Sequence, residues 1–207
     1  SDVWQQADAT HFSLDPADEA QYSQLFNTMP APPQHIIFLW GLALETPFYA
    51  LANLAKAVGA VSEPTRLHII TQEACAVTDL EALPPTQAAL FGLSQTIPQE
   101  YSHITTQVID ITASAVANGR QSADYFTKQI LADCVAESLT PQVALRGRKR
   151  WVQTVLPAPL PESDTAVFLK TGTYLITGGL SDIGYDIART LAEKTAANLL
   201  LIDEHPA

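Results

Sequence analysis

The chain has 207 residues, of which 47% are hydrophobic and only 16% are charged, and its formal net charge is −11. This length and composition predict one soluble globular domain, or one and a fraction. Affinity for a phosphate backbone comes mainly from Lys and Arg. Because the chain has 11 of these residues against 22 Asp and Glu, neither a nucleic acid nor an acidic membrane is expected as a partner.

Neither a membrane span nor a structural metal site is predicted. The longest apolar run covers only residues 36–44, whereas a bilayer crossing needs about 20 residues, and no charged leader precedes an apolar segment at the start of the sequence. Cys75 and Cys134 are isolated, and the histidines are dispersed, so neither a disulfide nor a zinc site is expected. Reduced thiols are typical of a cytoplasmic protein.

A short helix is predicted near the N-terminus, between loops. Asp15 and Pro16 have the character of an N-cap followed by a proline at the first helical position. Tyr22, Leu25 and Phe26 would form the apolar side of this helix, which is expected to pack against a later part of the chain.

Strand and helix signals then alternate along the chain. Apolar runs predict strands at residues 35–40, 66–71, 106–111 and 143–145, and the first of them is expected to be covered on both faces. Periodic segments predict helices from Pro47 to Gly59, from Pro84 to about Pro98, and over residues 122–138. Strands separated by helices of this length are typical of a doubly wound α/β sheet with right-handed crossovers.

Two groups of charged residues follow the predicted strands. Residues 146–150 hold four of the 11 basic residues, and they indicate either an anion site or, as we favour, a turn between antiparallel strands with solvated side chains. Glu73, Asp79 and Glu81 follow the second strand, where sheet topology tends to place ligands. We expect them to be ordinary solvated loop carboxylates.

A linker is predicted before the last part of the chain. Residues 156–161 contain three prolines, and residues 162–172 are polar and small. The predicted organisation is therefore a first domain over residues 1–160, a linker over 161–172, and a second unit over 173–207.

The second unit has the order strand, glycine turn, helix, strand. Residues 173–177 and 199–202 are the strands, and the helix begins at Ile183. In such a unit, glycine lets the backbone approach a dinucleotide pyrophosphate at the helix N-terminus. The candidate cofactor-binding residues are Thr177, Gly178, Gly179, Ser181, Asp182, Ile183 and Gly184.

Acidic residues surround this turn. Asp182 places a carboxylate near the position of a pyrophosphate, although it would also stabilise a bare helix N-terminus. Asp203, Glu204 and His205 follow the second strand without any Arg or Lys. This disfavours an NADP 2′-phosphate, whereas Asp203 could accept a hydrogen bond from an NAD ribose hydroxyl.

The chain resembles the ketoreductase domains of modular polyketide synthases, which belong to the short-chain dehydrogenase/reductase superfamily. Residues 173–184 look like the opening of their catalytic subdomain. Several earlier segments, in the same order, look like their structural subdomain: residues 36–40, 88–93, 99–101, 108–111, 145–147 and 150–153. The resemblance implies a truncated Rossmann-like parallel sheet that braces a second Rossmann unit, of which this chain holds the first βαβ.

The departures from the family pattern concern the cofactor and the chemistry. Family turns usually carry glycine where this chain has Ser181, and active members usually follow the second strand with Gly-Arg-Ser, whose arginine serves the NADPH 2′-phosphate. The chain stops at Ala207, before the family's catalytic serine, tyrosine, lysine and asparagine, so no catalytic residue is assigned. Tyr174 and Tyr185 are expected to be packing residues, and the glycine-turn residues are expected to be vestigial.

Three functional hypotheses follow. The first is a non-catalytic pseudo-ketoreductase that positions neighbouring domains of a synthase and binds no cofactor by itself. The second is part of a split, active ketoreductase that reduces a β-ketoacyl thioester on acyl carrier protein with NADPH. The third, unrelated to the family, is a small-molecule binder that uses the glycine turn. The apolar residues of the second unit, among them Leu175, Ile187 and Leu199, are expected to be covered by the structural subdomain or by another chain.

Overall fold

The computed structural model describes residues 4–78, 81–113, 120–159, 168–169 and 171–204. The chain divides into two compact units, Ser1–Val155 and Leu156–Ala207. The strands and helices of the first unit are β1 (Gln5–Gln6), β2 (Phe12–Ser13), α1 (Glu19–Thr28), β3 (His35–Phe38), α2 (Pro47–Gly59), β4 (Thr65–Gln72), α3 (Pro85–Glu100), β5 (Ile104–Ile111), α4 (Arg120–Cys134), β6 (Gln142–Arg146) and β7 (Lys149–Val152). The second unit contains β8 (Thr173–Thr177), α5 (Asp182–Lys194) and β9 (Asn198–Ile202).

The first unit is built on a five-stranded sheet in the order β3-β4-β5-β6-β7. The first four strands are parallel, and β7 pairs antiparallel with β6. Helices α1, α2 and α3 contribute to the core on one face, and α4 contributes to a separate core on the other. The predicted α/β sheet is confirmed, with an antiparallel edge strand added to it.

The larger core lies between the sheet and helices α1 to α3. Leu51 of α2, Leu67 of β4 and Leu90 of α3 are completely buried there. Burying a side chain of this size contributes about 1.5–3 kcal/mol. Helix α2 presents Leu51 to this core because Pro47 occupies its first turn and its apolar positions recur at helical spacing.

Strand β3 is covered on one face only, so the prediction of two covered faces is wrong. Phe38 is buried, but Ile37 is 40% exposed and Leu39 is 53% exposed. The reason is that β3 is an edge strand, whereas the core formed by α4 lies over β4, β5 and β6. Trp40 belongs to a short 3-10 helix, Trp40–Leu42, and not to the strand.

The N-cap of α1 is Asp18 and not Asp15. The Asp18 carboxylate accepts a hydrogen bond from the backbone N–H of Ala20 at 2.9 Å. Asp15 closes a tight turn instead, by accepting from the N–H of Ala17. The short hairpin of β1 and β2 was not predicted, because two-residue strands leave no periodic pattern.

Helix α3 continues through Pro98, where the sequence predicts its end. A proline has no N–H for the carbonyl of the residue four positions earlier, which here is that of Ser94. The hydroxyl of Thr106, on the adjacent strand β5, donates to this carbonyl at 2.6 Å. The tertiary contact thus supplies the hydrogen bond that the helix lacks, and the helix ends at Glu100.

A chain of hydrogen-bonded polar side chains crosses strands β5, β4 and β3 of the main sheet. Gln107 donates its amide N–H to the carbonyl of Thr140, so its oxygen accepts from Nδ1 of the buried His68 at 2.9 Å. The Nε2 atom of His68 then accepts from Nδ1 of His35 at 3.1 Å. These hydrogen bonds hold His68 in its neutral form, with the proton on Nδ1. Burial is the main cause that lowers the pKa of His68, and the nearby His35 and Arg66 lower it further.

We expect His68 to make the first unit less stable in mild acid. An unfolded histidine takes up a proton near pH 6.5, whereas the folded state resists this, so stability falls as the pH drops below about 6.5, by up to about 1.4 kcal/mol per pH unit until the folded pKa is reached. Urea unfolding at pH 7.5 and pH 5.5 should show a smaller loss for His68→Gln than for the unchanged protein. The carboxylates of Asp8 and Glu81, with pKa values lowered to about 2, act only at more acidic pH. Parallel losses in the two proteins would contradict this expectation.

The second unit is a βαβ arrangement, as the sequence predicts. Strands β8 and β9 are parallel, and Leu191 of α5 is buried against them. Leu175, Leu200 and Ile202 alternate with half-buried residues and are more than half exposed. Among the residues that the structure describes, no helix has the length and apolar character to cross a bilayer.

Candidate functional site

The glycine turn connects β8 to α5 and begins after Thr177. Gly178 has a φ of +66°, a left-handed conformation that costs glycine little. This conformation reverses the chain so that the N–H of Gly179 donates to the carbonyl of Ile202 in β9 at 3.1 Å. The turn is therefore fastened to the end of the second strand.

Glycine is required at two positions of the turn because backbone atoms of other residues lie too close for a Cβ. A Cβ on Gly184 would collide with the carbonyl oxygen of Gly178, and one on Gly179 would lie 2.9 Å from the carbonyl oxygen of Ile176. Both residues are buried. The turn thus has the compact backbone that the dinucleotide-binding pattern requires.

Ser181 is the N-cap of α5. Its hydroxyl donates to the carbonyl of Gly178 at 2.6 Å and accepts from the N–H of Gly184 at 3.3 Å. Its own backbone N–H donates to the same carbonyl. The serine that replaces the usual family glycine therefore acts as a helix cap.

Asp203 contacts the turn directly. Its carboxylate accepts hydrogen bonds from the N–H of Leu180 at 3.1 Å and of Glu204 at 2.8 Å. In the sequence analysis Asp203 is a possible acceptor for an NAD ribose hydroxyl, whereas in the structure one of its oxygens accepts from a backbone N–H of the turn. His205 lies outside the described residues.

Few donors remain in the turn for a phosphate. The N–H groups of residues 179, 180, 181 and 184 already have protein acceptors. Among the described residues of the turn and the helix end, the N–H groups of Gly178, Asp182 and Ile183 have no acceptor. All three residues are exposed.

The charges around these donors oppose an anion. Asp182, Asp203 and Glu204 surround the turn, and the described cations of this unit, Arg189 and Lys194, lie further along α5. Arg189 is also close to Asp186 and Glu193. The turn keeps the compact glycine backbone of a pyrophosphate site, but the side chains around it do not fit the 2′-phosphate of NADPH.

A second cluster of charges lies at the carboxyl ends of β4, β5 and β6 in the first unit. Arg146, at the end of β6, is only 7% exposed and bridges two carboxylates. Its Nη2 lies 2.6 Å from Asp110 of β5, and its Nε lies 2.8 Å from Glu81 in the loop after β4. We call these three residues the strand-end cluster.

Every N–H of the Arg146 guanidinium has an acceptor. Besides the two carboxylates, it donates to the carbonyls of Asp110, Leu145 and Cys75. Five donors are all that the group has. Asp110 is equally engaged, because it also accepts from the hydroxyl of Thr71 and the N–H of Ala74.

The strand-end cluster corrects two predictions. Arg146 and Glu81 are not solvated, and the hydrogen bonds from Arg146 are the main cause that lowers the pKa of Glu81 to about 2. Arg150 is also paired, with Asp133 of α4 at 2.7 Å. The predicted antiparallel turn is present, but two of its basic side chains bind carboxylates of the same chain, so it does not form a free anion site.

The strand-end cluster occupies the edge of the sheet where open α/β folds bind ligands. The loop that would border such a ligand is also fixed, because the Glu73 carboxylate accepts from the N–H groups of Ala82 and Ala113. The Cys75 thiol lies beside the cluster, and burial and the nearby Asp110 raise its pKa to about 12, which makes it a poor nucleophile. Asp79 lies outside the described residues.

The structure also shows the surroundings of Tyr174 and Tyr185 and of the side chains that could bind a metal. The Tyr174 hydroxyl accepts from the N–H of Leu169, and its ring contacts Phe168, so this tyrosine is a packing residue. Tyr185 is 57% exposed, and its predicted packing role is wrong. Within the described ranges, no group of three or more metal-binding side chains comes together.

Comparison with known sequences relates the chain to polyketide synthases. It is 32% identical over 167 residues to erythronolide synthase EryA3 of Saccharopolyspora erythraea, a match that covers 81% of this chain and 5% of that protein. It is 30% identical over 155 residues to 6-methylsalicylic acid synthase of Aspergillus terreus, covering 73% of this chain and 8% of that protein. The chain thus spans less than a tenth of these two relatives, and no family model matches it.

Solved structures relate its fold to ketoreductases. The first ketoreductase of the tylosin polyketide synthase matches with a TM-score of 0.65 and 26% identity, covering 90% of this chain and 40% of that one. A multidomain structure of a keto acid-selecting nonribosomal peptide synthetase module, with adenylation, ketoreductase and pseudo Asub domains, matches with a TM-score of 0.73. That match has 23% identity and covers 97% of this chain and 18% of the other, and it supports the fold alone.

Proposed function

This chain is a ketoreductase-like region of the polyketide synthase type, and we propose that it is a non-catalytic, structural pseudo-ketoreductase. In this role it braces or positions neighbouring domains of the same synthase and binds no nicotinamide cofactor by itself. The glycine-turn residues from Thr177 to Gly184 are vestigial cofactor contacts that now stabilise the βαβ unit.

The observation that carries the proposal is the hydrogen bond between Asp203 and Leu180. A turn that receives phosphate needs free N–H groups and a favourable charge. Here a carboxylate of the same chain takes one of those groups and adds negative charge beside the turn. Glu204 follows it, in the region where the family's arginine would attract the 2′-phosphate.

The strand-end cluster supports a structural role for the first unit as well. A ligand-binding α/β sheet leaves its carboxyl edge open, whereas Arg146 and its carboxylates fill this edge with a satisfied network. Removing either partner would leave a buried charge behind. Such an arrangement favours a rigid support over an exchangeable ligand.

The alternative is a part of an active ketoreductase that reduces a β-ketoacyl thioester on acyl carrier protein with NADPH. Two features favour it: the turn keeps the compact glycine backbone, and Leu175, Leu200 and Ile202 present an apolar sheet face that further strands or helices of a synthase would cover. A parent polypeptide with this activity would support the alternative, and its activity would fall when Gly178 is replaced.

We expect the chain to show no saturable NADPH binding at micromolar concentration in titration calorimetry. The phosphates would meet Asp182, Asp203 and Glu204, and no cation among the described residues of the turn would compensate for them. Glu204→Arg should restore weak binding and improve the affinity at least about tenfold, because it replaces repulsion with attraction. Glu193→Arg, which makes the same charge change at the far end of α5, is the matched control and should have little effect.

Micromolar binding of NADPH by the unchanged chain would refute the pseudo-ketoreductase proposal. Binding that rises equally for both arginine variants would show only a net-charge effect. Location in the cytoplasm and contact with acyl carrier protein belong to the same proposal, and they are tested by purifying the parent synthase from the soluble fraction and measuring its carrier-protein binding.

A further inference from the structure

Two histidines on neighbouring strands face each other near one edge of the main sheet. His35 of β3 and His68 of β4 lie on the same face of the sheet, two register positions apart, since His35 pairs with Arg66 and Ile37 pairs with His68. Nδ1 of His35 is 3.1 Å from Nε2 of His68. The two rings are nearly parallel, with an angle of 8° between their planes.

We propose that His35 and His68 form a binding site for a divalent transition-metal ion of the Ni²⁺ and Cu²⁺ class. Such ions bind imidazole nitrogens and accept mixed nitrogen and oxygen ligands, so water can occupy the remaining positions. The ion would be held by Nδ1 of His35 and Nε2 of His68, and it would fasten the edge strand β3 to β4. This open site differs from a structural zinc site, which is closed by four protein ligands, and it does not depend on the proposed function.

The separation of the two nitrogens suits this coordination. The bond from an imidazole nitrogen to a metal ion such as Zn²⁺ is about 2.0–2.1 Å long. Two bonds of this length place their nitrogens about 2.9 Å apart at a right angle and about 3.4 Å apart at the tetrahedral angle. The 3.1 Å between His35 and His68 lies within this range. Neither strand has to move, and the rings need only turn until their lone pairs converge.

His68 is already oriented as a metal ligand. Its Nδ1–H donates to the side-chain oxygen of Gln107 at 2.9 Å, and Gln107 is fixed because its amide N–H donates to the carbonyl of Thr140. A histidine that binds a metal usually donates its other N–H to an oxygen in this way, which fixes its tautomer and its ring. The lone pair of Nε2 of His68 is therefore kept on the side of His35.

His35 can supply the second lone pair without a net loss of protons. In the hydrogen bond between the two rings, Nδ1 of His35 carries the proton. Its Nε2 has no hydrogen-bond partner in the part of the chain that the structure describes, and the residue is exposed. The proton can therefore move to Nε2 through water. Both rings stay neutral, and two nitrogen–metal bonds replace one hydrogen bond and two waters of the hydrated ion.

The surroundings of His35 give the ion space and a favourable charge. His35 lines an open cavity of about 940 Å³ that is also lined by Glu63, Glu137 and Arg66. The guanidinium of Arg66 opposes a cation, and it donates a hydrogen bond to the carbonyl of Ala136. Two carboxylates and one guanidinium give the lining of this cavity a net charge of −1 when its histidines are neutral. The net charge of −11 on the whole chain has the same sign.

Titration calorimetry of the 207-residue chain with NiCl₂ at pH 7.5 should show saturable binding of one ion at micromolar concentration. His35→Gln and His68→Gln should each weaken this binding at least about tenfold, since even the loss of an outer-shell partner typically weakens metal binding by about 10- to 100-fold. His35→Gln is the sharper test. Its amide can still donate to Nε2 of His68, so the hydrogen bond is kept while the second imidazole is lost.

Two other histidines control for adventitious binding of Ni²⁺. His11 is exposed and bonded to Asp8, and His103 lines the same cavity as His35, with its Nε2 close to the carbonyl of Val58. His11→Ala and His103→Ala should both leave the affinity unchanged. If either variant abolished binding, if His35→Gln bound Ni²⁺ as tightly as the unchanged chain, or if no saturable binding occurred, the proposal would be wrong.

Electron paramagnetic resonance with one equivalent of Cu²⁺ identifies the ligands directly. The spectrum should show hyperfine coupling to two nitrogens in the unchanged chain and to one nitrogen in His35→Gln. Ni²⁺ should also raise the thermal midpoint of the unchanged chain more than that of His35→Gln, because an ion that binds only the folded state stabilises it. The same number of coupled nitrogens and the same thermal shift in both proteins would contradict a site between the two rings.

Discussion

Replacing Arg146 with methionine is expected to destabilise the first unit by about 3–5 kcal/mol. The variant keeps much of the side-chain volume but leaves the fully buried Asp110 carboxylate without its cation. It also frees the carbonyl of Cys75 and thus loosens the loop after β4. Urea unfolding followed by circular dichroism measures this loss.

The matched control is Arg148→Met in the same hairpin. Arg148 is exposed and makes no ion pair among the described residues, so this variant should change stability by about 0.5 kcal/mol or less. The double variant Arg146→Met with Asp110→Leu removes both charges and should be more stable than Arg146→Met alone. If Arg146→Met and Arg148→Met were equally stable, the strand-end cluster would not hold the sheet together.

Gly184→Ala is expected to destabilise the second unit by about 1–3 kcal/mol. Its Cβ would overlap the carbonyl oxygen of Gly178, which is also the acceptor for Ser181. The turn would have to open, and α5 would lose its cap. Hydrogen exchange of the amides in β8 and β9 should then become about 5- to 150-fold faster.

Gly92→Ala is expected to change stability in the opposite direction. Gly92 is also within a helix, but nothing lies within 4 Å of the position of its Cβ. An alanine there should stabilise the first unit by up to about 1 kcal/mol, because it improves helix propensity. If Gly184→Ala behaved like Gly92→Ala, the close contact at the glycine turn would not limit stability.

The sequence predicts the order of elements well because that order follows from local signals. Apolar runs give the strands, and the prolines at the start of α2 and α3 give their N-termini. Boundaries depend on tertiary contacts instead. Helix α3 outlasts Pro98 only because Thr106, on another strand, supplies a donor, and no local pattern reveals such a partner.

The candidate sites also divide into features set by local signals and features set by tertiary contacts. The glycine turn and the Ser181 cap are visible in the sequence because all their contacts lie within a few residues. The strand-end cluster joins Arg146 to a glutamate 65 positions earlier, so charge patterning alone indicates solvated side chains. A single signal could have suggested it: Asp110 interrupts the apolar strand β5, and a carboxylate there needs a cation nearby.

Arg146 also has a consequence for synthesis of the chain on the ribosome. The loop after β4 and strand β5 emerge long before Arg146, since Arg146 follows Glu81 by 65 positions and Asp110 by 36. Until β6 has been made, Asp110 has no cation and its strand cannot be buried at low cost. The carboxyl edge of the sheet therefore closes only after β6 has been made, and nascent chains that end before β6 are expected to be the protease-sensitive and aggregation-prone ones.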